Sequence, residues 1–114
     1  MNCIFCRIVA GEIPARIVAR TDRAVTFHDV NAQAPVHLLV VPVRHVEAVR
    51  DADGAEGEAL LGHLMRCAAD AATAAGLDAS GYRIITNTGA DGGQSVFHLH
   101  LHVLGGHPLT WPPP

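Results

Sequence analysis

The chain has 114 residues, 49% of them hydrophobic, and a net charge of −3 with its eight histidines neutral. That length suits one domain around one core, and the lack of a basic block argues against any large nucleic-acid footprint. The longest apolar stretch, residues 38–43, is interrupted by Pro42 and is far too short to cross a bilayer, so no membrane partner is expected.

The first residues, Met1-Asn2-Cys3-Ile4-Phe5-Cys6-Arg7, lack the charged-then-apolar layout of a signal peptide. Cys3, Cys6 and Cys67 are an odd set, which favours a reduced cytoplasmic setting without a disulfide framework. Residues 3–10 carry Ile4, Phe5, Ile8 and Val9 at helical spacing, with Gly11 as a stop, and Pro14 prevents continuation. Residues 16–20 and 24–29 are expected to form a hairpin around the turn Thr21-Asp22-Arg23. After a loop at 31–35, the apolar, β-branched run 37–43 suits a buried central strand, and 44–50 is irregular. Asp53 is the expected N-cap of a helix to about Ala75, with Glu56 as its capping-box partner. Leu60, Leu64, Cys67, Ala68, Ala71 and Ala75 form its inner stripe, and Gly76 ends it. Residues 82–88 form the next strand, the loop 89–95 follows, and 96–104 is the last strand. The tail 105–114 closes with Trp111 and three prolines, an extended segment that cannot continue a ladder. The expected fold is α+β in one domain spanning 1–114: a meander of about five antiparallel strands with two helices packed on it.

Val96-Phe97-His98-Leu99-His100-Leu101-His102-Val103-Leu104 alternates apolar and polar residues without a break. On a strand this places His98, His100 and His102 on one face and Phe97, Leu99, Leu101 and Val103 on the core face. His98 and His102 would lie about 13 Å apart along such a strand, too far for one tetrahedral metal to take all three. Neighbouring imidazoles, about 6.6 Å apart, can share a small ligand. Neutral imidazole is a nucleophile and its neighbour a proton donor, a combination suited to a phosphoryl centre.

Other residues carry two readings each. The loop Gly89-Ala90-Asp91-Gly92-Gly93-Gln94-Ser95 is either an ordinary hairpin loop or a phosphate cradle whose Ser95 hydroxyl faces the histidine row. Asp29 either initiates a turn or takes the two hydroxyls of a ribose, and His28 is a pocket wall or a solvent-facing residue. Cys3-x-x-Cys6 is a metal half-site, a redox pair or two buried thiols. His45 and His98 are the candidates to complete a zinc site, since both are expected near one end of the sheet.

The run Gly92-Gly93-Gln94-Ser95-Val96-Phe97-His98-Leu99-His100-Leu101-His102-Val103-Leu104 resembles the signature of the histidine triad (HIT) family. Ile13-Pro14-Ala15, Phe27-His28-Asp29, Gln33-Ala34-Pro35-Val36-His37, Leu61-Gly62-His63-Leu64-Met65 and Trp111-Pro112-Pro113 are similar to its nucleotide-binding branch, the purine nucleoside phosphoramidases. The resemblance covers nearly the whole chain. It implies a homodimer whose five-stranded antiparallel sheets join into one of ten strands. The implied substrate is a purine nucleoside monophosphate conjugate cleaved at its α-phosphorus through a nucleotidyl-histidine. His100 would be the nucleophile, His102 would contact phosphoryl oxygens, Ser95 would assist the leaving group, and His37 with His98 would orient the triad. Phe5, Ile8, Phe27, His28 and Val30 would wall the base pocket and Asp29 would hold the ribose. Asn87, Gly93 and Gln94 would lie along the phosphate. Cys3 and Cys6, not universal in that branch, are similar to the zinc pattern of other bacterial-type members, whose thiolates join a downstream histidine and the first triad histidine. That makes Cys3, Cys6, His45 and His98 the implied zinc ligands and puts a His98–His37 bond in question. Two alternatives remain: a dinucleoside polyphosphate hydrolase, and a nucleotide-binding adaptor with weak turnover.

Overall fold

The β-branched run Val36–Pro42 forms the central strand of the sheet in the computed structural model, which describes residues 3–113; every residue of that strand after Val36 is buried. In chain order the elements are α1 (Ile4–Val9), β1 (Ile17–Arg20), β2 (Ala24–His28), β3 (Val36–Pro42), a 3₁₀ turn (Val49–Asp51), α2 (Gly54–Ala74), β4 (Tyr82–Ile85) and β5 (Leu101–Gly105). The architecture is the expected α+β one: five antiparallel strands and two helices. The order across the sheet is β1-β2-β3-β5-β4, so it is not a meander. β5 buries Leu101 and Val103 and takes the inner place beside β3, whereas β4, never fully buried, is left at the edge.

The period of two along each strand divides the core. Leu38, Val40, Leu101 and Val103 pack against Leu60, Leu64, Ala68, Ala71 and Ala72 of α2. Val25, Phe27, Leu39 and Val41 pack on the opposite face against Phe5 and Ile8 of α1. His37 shares the parity of Leu39, and His102 pairs directly with Leu39, so both imidazoles emerge on the α1 face. The sheet thus has a purely structural side and a side where polar groups meet a small helix.

Four expectations change. Asp53 occupies the N-cap of α2 but its side chain caps nothing, and Glu56 lies instead 3.9 Å from Arg44. The inner stripe of α2 uses Gly57 and Ala72, whereas Ala75 is exposed beyond the helix end and Cys67 is only half-buried. Gly57 has a steric reason, because a Cβ there would overlap the Ala52 carbonyl. Strand β4 stops at Ile85 rather than 88, where the Thr86 hydroxyl donates to the His100 carbonyl at 2.9 Å in place of a ladder bond.

The largest change concerns the histidine segment. β5 begins only at Leu101, so residues 96–100 are irregular. The Leu99 N–H donates to the Val46 carbonyl at 2.6 Å, binding this stretch to the loop after β3 instead of to a strand. Strict alternation fails accordingly: His98 and Leu99 are both buried, and Phe97, expected in the core, is 52% exposed. Among the described residues no helix is long and apolar enough to cross a membrane.

Candidate active site

Because residues 96–100 leave the strand geometry, the three histidines do not form one row. The rings of His100 and His102 lie 5.0 Å apart, and Phe5 of α1 stands edge-on to His100 at 5.1 Å. The His98 ring turns into a separate cluster with Cys3, Cys6 and His45. The His98–His37 bond that the cysteine pair puts in question does not form, and His37 bonds instead to His102 across the β3–β5 ladder. The register explains it: His102 faces Leu39 and His37 faces Leu104, so the two imidazoles are diagonal neighbours on one face.

Hydrogen-bond partners fix which ring nitrogen carries a proton. His100 Nδ1 lies 2.7 Å from the His98 carbonyl. A carbonyl only accepts, so Nδ1–H donates and Nε2 keeps its lone pair. The Gln33 backbone N–H donates to His37 Nδ1 at 3.0 Å, which leaves the His37 proton on Nε2. That nitrogen is 2.9 Å from His102 Nδ1 and 3.3 Å from Asp29 Oδ2. His102 Nδ1 accepts, and His102 Nε2–H is the remaining donor. The result is a nucleophilic lone pair on His100 beside an N–H donor on His102.

Electrostatics keep His37 and His102 neutral near pH 7. Burial lowers the His37 pKa, with Asp29 opposing the shift only in part. Burial, then His100 and His37, push His102 down to about 4. Asp29, His37 and His102 also offer ligand atoms close together. A metal there would need the His37 Nε2 lone pair, and the Gln33 N–H puts the proton on that atom. The trio is therefore a hydrogen-bonded relay.

A cavity of about 340 Å³ opens beside these rings. Phe5, Ile8, Phe27, His28, Asp29 and Val30 line it, together with Ser95, His100 and His102. Its volume lies in the range of small-molecule sites. Ile4, Ile13 and Pro14 also line it; the sequence showed Ile13-Pro14 as a helix break and gave no sign that the break forms a wall. Asp29 performs the turn role, its Oδ1 accepting from Asn31 N at 2.8 Å, while remaining at the cavity.

Asn87, Gly93 and Gln94 stand outside this lining. Asn87 Nδ2 donates to the Gly92 carbonyl at 2.7 Å, and Gly93 takes the left-handed conformation at φ 80° that a side chain disfavours. The Gln94 side chain is buried and turned inward. Its amide nitrogen donates to Glu47 O at 2.6 Å and Val96 O at 3.1 Å, and its oxygen accepts from Gly89 N at 2.9 Å. These residues shape the loop that presents Ser95.

The second cluster has the chemistry of a metal centre. The ligand atoms of Cys3, Cys6, His45 and His98 all lie within 4.8 Å of one another. Cys3 Sγ to His98 Nδ1 is 3.3 Å, Cys6 Sγ to His45 Nδ1 is 3.3 Å, and Cys6 Sγ to His98 Nδ1 is 3.5 Å. A tetrahedral zinc with ordinary Zn–S and Zn–N bonds has ligand–ligand edges of about 3.3–3.8 Å. His98 Nε2–H donates to the Pro42 carbonyl at 2.9 Å, so its Nδ1 presents a lone pair to the sulfurs. Burial and the adjacent Cys3 raise the Cys6 thiol pKa, the cost of gathering two thiolates that a cation would reverse. Cys67 lies elsewhere, 3.5 Å from His63 Nε2.

Comparison with known proteins identifies the family and the fold. The HIT domain model matches residues 10–109. An uncharacterized HIT-like protein of Synechococcus elongatus is 49% identical over 112 residues, 98% of this chain and 96% of the relative. The structure of a HIT family hydrolase from Legionella pneumophila Philadelphia 1 superposes with a TM-score of 0.94 at 42% identity, covering 99% of this chain and 100% of that one. A histidine triad nucleotide-binding protein from Candida albicans superposes with a TM-score of 0.83 at 26% identity, over 99% of this chain and 85% of that one. The chain belongs to the HIT domain family.

Proposed function

We propose that the protein is a nucleotidyl hydrolase of the phosphoramidase type. Its substrates would be purine nucleoside monophosphates joined through phosphorus to an amine or another leaving group. The observation that carries this reading is the 2.7 Å bond from His100 Nδ1 to the His98 carbonyl, which leaves Nε2 as a nucleophile beside His102. The hydrolase designation of the Legionella protein and the nucleotide-binding designation of the Candida protein support the same class.

In the first step His100 Nε2 attacks the α-phosphorus, the bond from phosphorus to the leaving group breaks, and a nucleotidyl-histidine forms. The ring then carries positive charge, which the His98 carbonyl stabilises through Nδ1–H. The leaving amine needs a proton, and Ser95, which lines the cavity, would deliver it. His102 Nε2–H donates to a non-bridging oxygen, where charge accumulates. In the second step water attacks phosphorus and its proton returns to Ser95, the bond from phosphorus to His100 Nε2 breaks, and His100 regains its lone pair. Splitting one displacement into two is the benefit of covalent catalysis. Phe5, Ile8, Phe27 and Val30 would wall the base, with His28 beside it. Asp29 would accept ribose hydroxyls, and the loop around Asn87, Gly93 and Gln94 would shape the phosphate end.

Cys3, Cys6, His45 and His98 would hold zinc, and four protein ligands give a structural ion without an open position for substrate. We also propose a homodimer formed through the outer edge of β4, giving a ten-stranded sheet. Its support is the one-sided pairing of β4 and a Trp111 that is 79% exposed, with the Arg83 guanidinium 5.9 Å from its ring. Light scattering at micromolar concentration tests the dimer, and a monomer would refute it. Steady-state hydrolysis of an adenosine phosphoramidate beside diadenosine polyphosphates tests the reaction. Preference for the phosphoramidate supports the reading, preference for the polyphosphates replaces it with the longer-substrate hydrolase, and no turnover of either refutes it.

A further inference from the structure

The six-residue helix α1 belongs to two sites at once. Phe5 and Ile8 line the cavity, and Phe5 stands edge-on to the rings of Phe27 and His100. Cys3, at the helix N-cap, and Cys6, one turn on, reach His98 and His45. A helix this short is not stable by itself in water. Its position depends on what its side chains grip.

On the cavity side the grip is apolar: Phe5 and Ile8 are 7% and 8% exposed within the cluster of Val25, Phe27, Leu39 and Val41. On the other side it is the thiol–imidazole cluster, which ties α1 to the loop after β3 through His45 and to the histidine segment through His98. His98 extends the connection to the nucleophile, because its carbonyl receives His100 Nδ1–H. At the last residue of α1, the Arg20 guanidinium donates to the Val9 carbonyl at 3.3 Å, an exposed bond worth little.

We propose that metal occupancy of the Cys3–Cys6–His45–His98 centre and nucleotide binding in the cavity are thermodynamically coupled, with α1 and His98 as the shared elements. This rests on the proposed nucleotide site. The ion fixes α1, α1 brings Phe5 and Ile8 against the base, and a fixed His98 holds the carbonyl that sets the His100 tautomer. Without the ion the ligand must order α1 itself, and its affinity drops by the fraction of molecules in which the helix is docked. Coupling of this kind is reciprocal: nucleotide must raise metal affinity by the factor by which metal raises nucleotide affinity.

The test uses the full chain under reducing conditions, stripped with a chelator or loaded with zinc, and adenosine monophosphate as the probe. Calorimetry gives nucleotide affinity for both forms. Competition with a chromophoric chelator gives zinc affinity with and without saturating nucleotide. Tenfold or greater weakening of nucleotide binding on zinc removal is expected, with a matching change in zinc affinity. Cys6→Ser should reproduce the stripped state, and Cys67→Ser, outside the cluster, should change neither. Equal nucleotide affinity in the stripped and loaded forms overturns the proposal, as does failure to bind zinc. If the nucleotide binds neither form, the cavity assignment fails, and amide hydrogen exchange then decides the coupling element. Protection of the Arg7 and Ala10 amides that vanishes with zinc upholds metal control of α1, and unchanged protection overturns it.

Discussion

His37 does not itself line the cavity, yet the relay predicts a large effect for His37→Leu. The substitution keeps the buried volume of a residue only 5% exposed and removes the donor held 2.9 Å from His102 Nδ1. His102 is then free to move its proton to Nδ1, which withdraws the Nε2–H donor from the phosphoryl oxygen. One hydrogen bond of this kind, strengthened as charge develops in the transition state, is worth about 1–2 kcal/mol, or roughly 5- to 30-fold in rate. The loss should fall on kcat, with KM for an adenosine phosphoramidate changed less than about threefold, because ground-state walls are untouched. His37→Gln, whose amide can still donate, should recover part of the loss. The stability cost should stay near about 1 kcal/mol, since the Gln33 N–H released by the change lies on an exposed residue and finds water. A His37→Leu enzyme with kcat within twofold of wild type, or a KM effect equal to the kcat effect, would refute the relay.

Stability should fall as pH drops from about 6.5 towards 4. His102 is depressed to about 4 and His37 is also lowered, so the unfolded chain takes up protons first and acid favours unfolding. Above about 6.5 these two histidines contribute no slope. Urea unfolding at pH 7.5, 5.5 and 4.5 measures this, and His102→Asn should flatten the profile; an identical slope in that variant would contradict it. Gly92→Ala would drive a Cβ into the Thr88 backbone, so the loop carrying Ser95 must shift and kcat should drop by tenfold or more; wild-type turnover would show that the loop does not position the serine. Leu64→Ala, at a fully buried position of α2, should lower stability by about 3–5 kcal/mol without changing nucleotide affinity, because α2 packs on the opposite face from the cavity. Denaturant melts paired with calorimetry would show the separation.

The sheet and both helices were legible because their signals are local. Residues 36–42 are a β-branched apolar run, Gly76 and Gly11 end helices, and the apolar spacing of 60–72 has the helical period. What failed depended on competition between distant partners. Alternation through residues 96–104 predicted one long strand, but Leu99 N–H bonds to Val46 and Gln94 ties the loop to Glu47, so the ladder starts only at Leu101. The same departure carries His98 into the cluster with Cys3, Cys6 and His45 that the sequence nominates, and the bond between His37 and His102 follows from the β3–β5 register, which a linear pattern does not show. The place of β5 between β3 and β4 follows from relative burial, which a linear pattern does not rank. The cavity residues Phe5, Ile8 and Phe27 converge from two elements, and their placement came from family resemblance rather than from any period in the chain.

The assignment of His100 as nucleophile is tested most directly by trapping its adduct. Wild-type protein mixed with a radiolabelled adenylate conjugate and quenched within milliseconds should carry label in an acid-labile phosphorus–nitrogen bond. Peptide mapping should place that label on His100, whose Nε2 is the lone pair left open by the bond from Nδ1 to the His98 carbonyl. His100→Asn should form no adduct and lose turnover by several orders of magnitude while still binding adenosine monophosphate. An adduct on His98 or His102, or turnover at the wild-type rate in His100→Asn, would contradict the assignment.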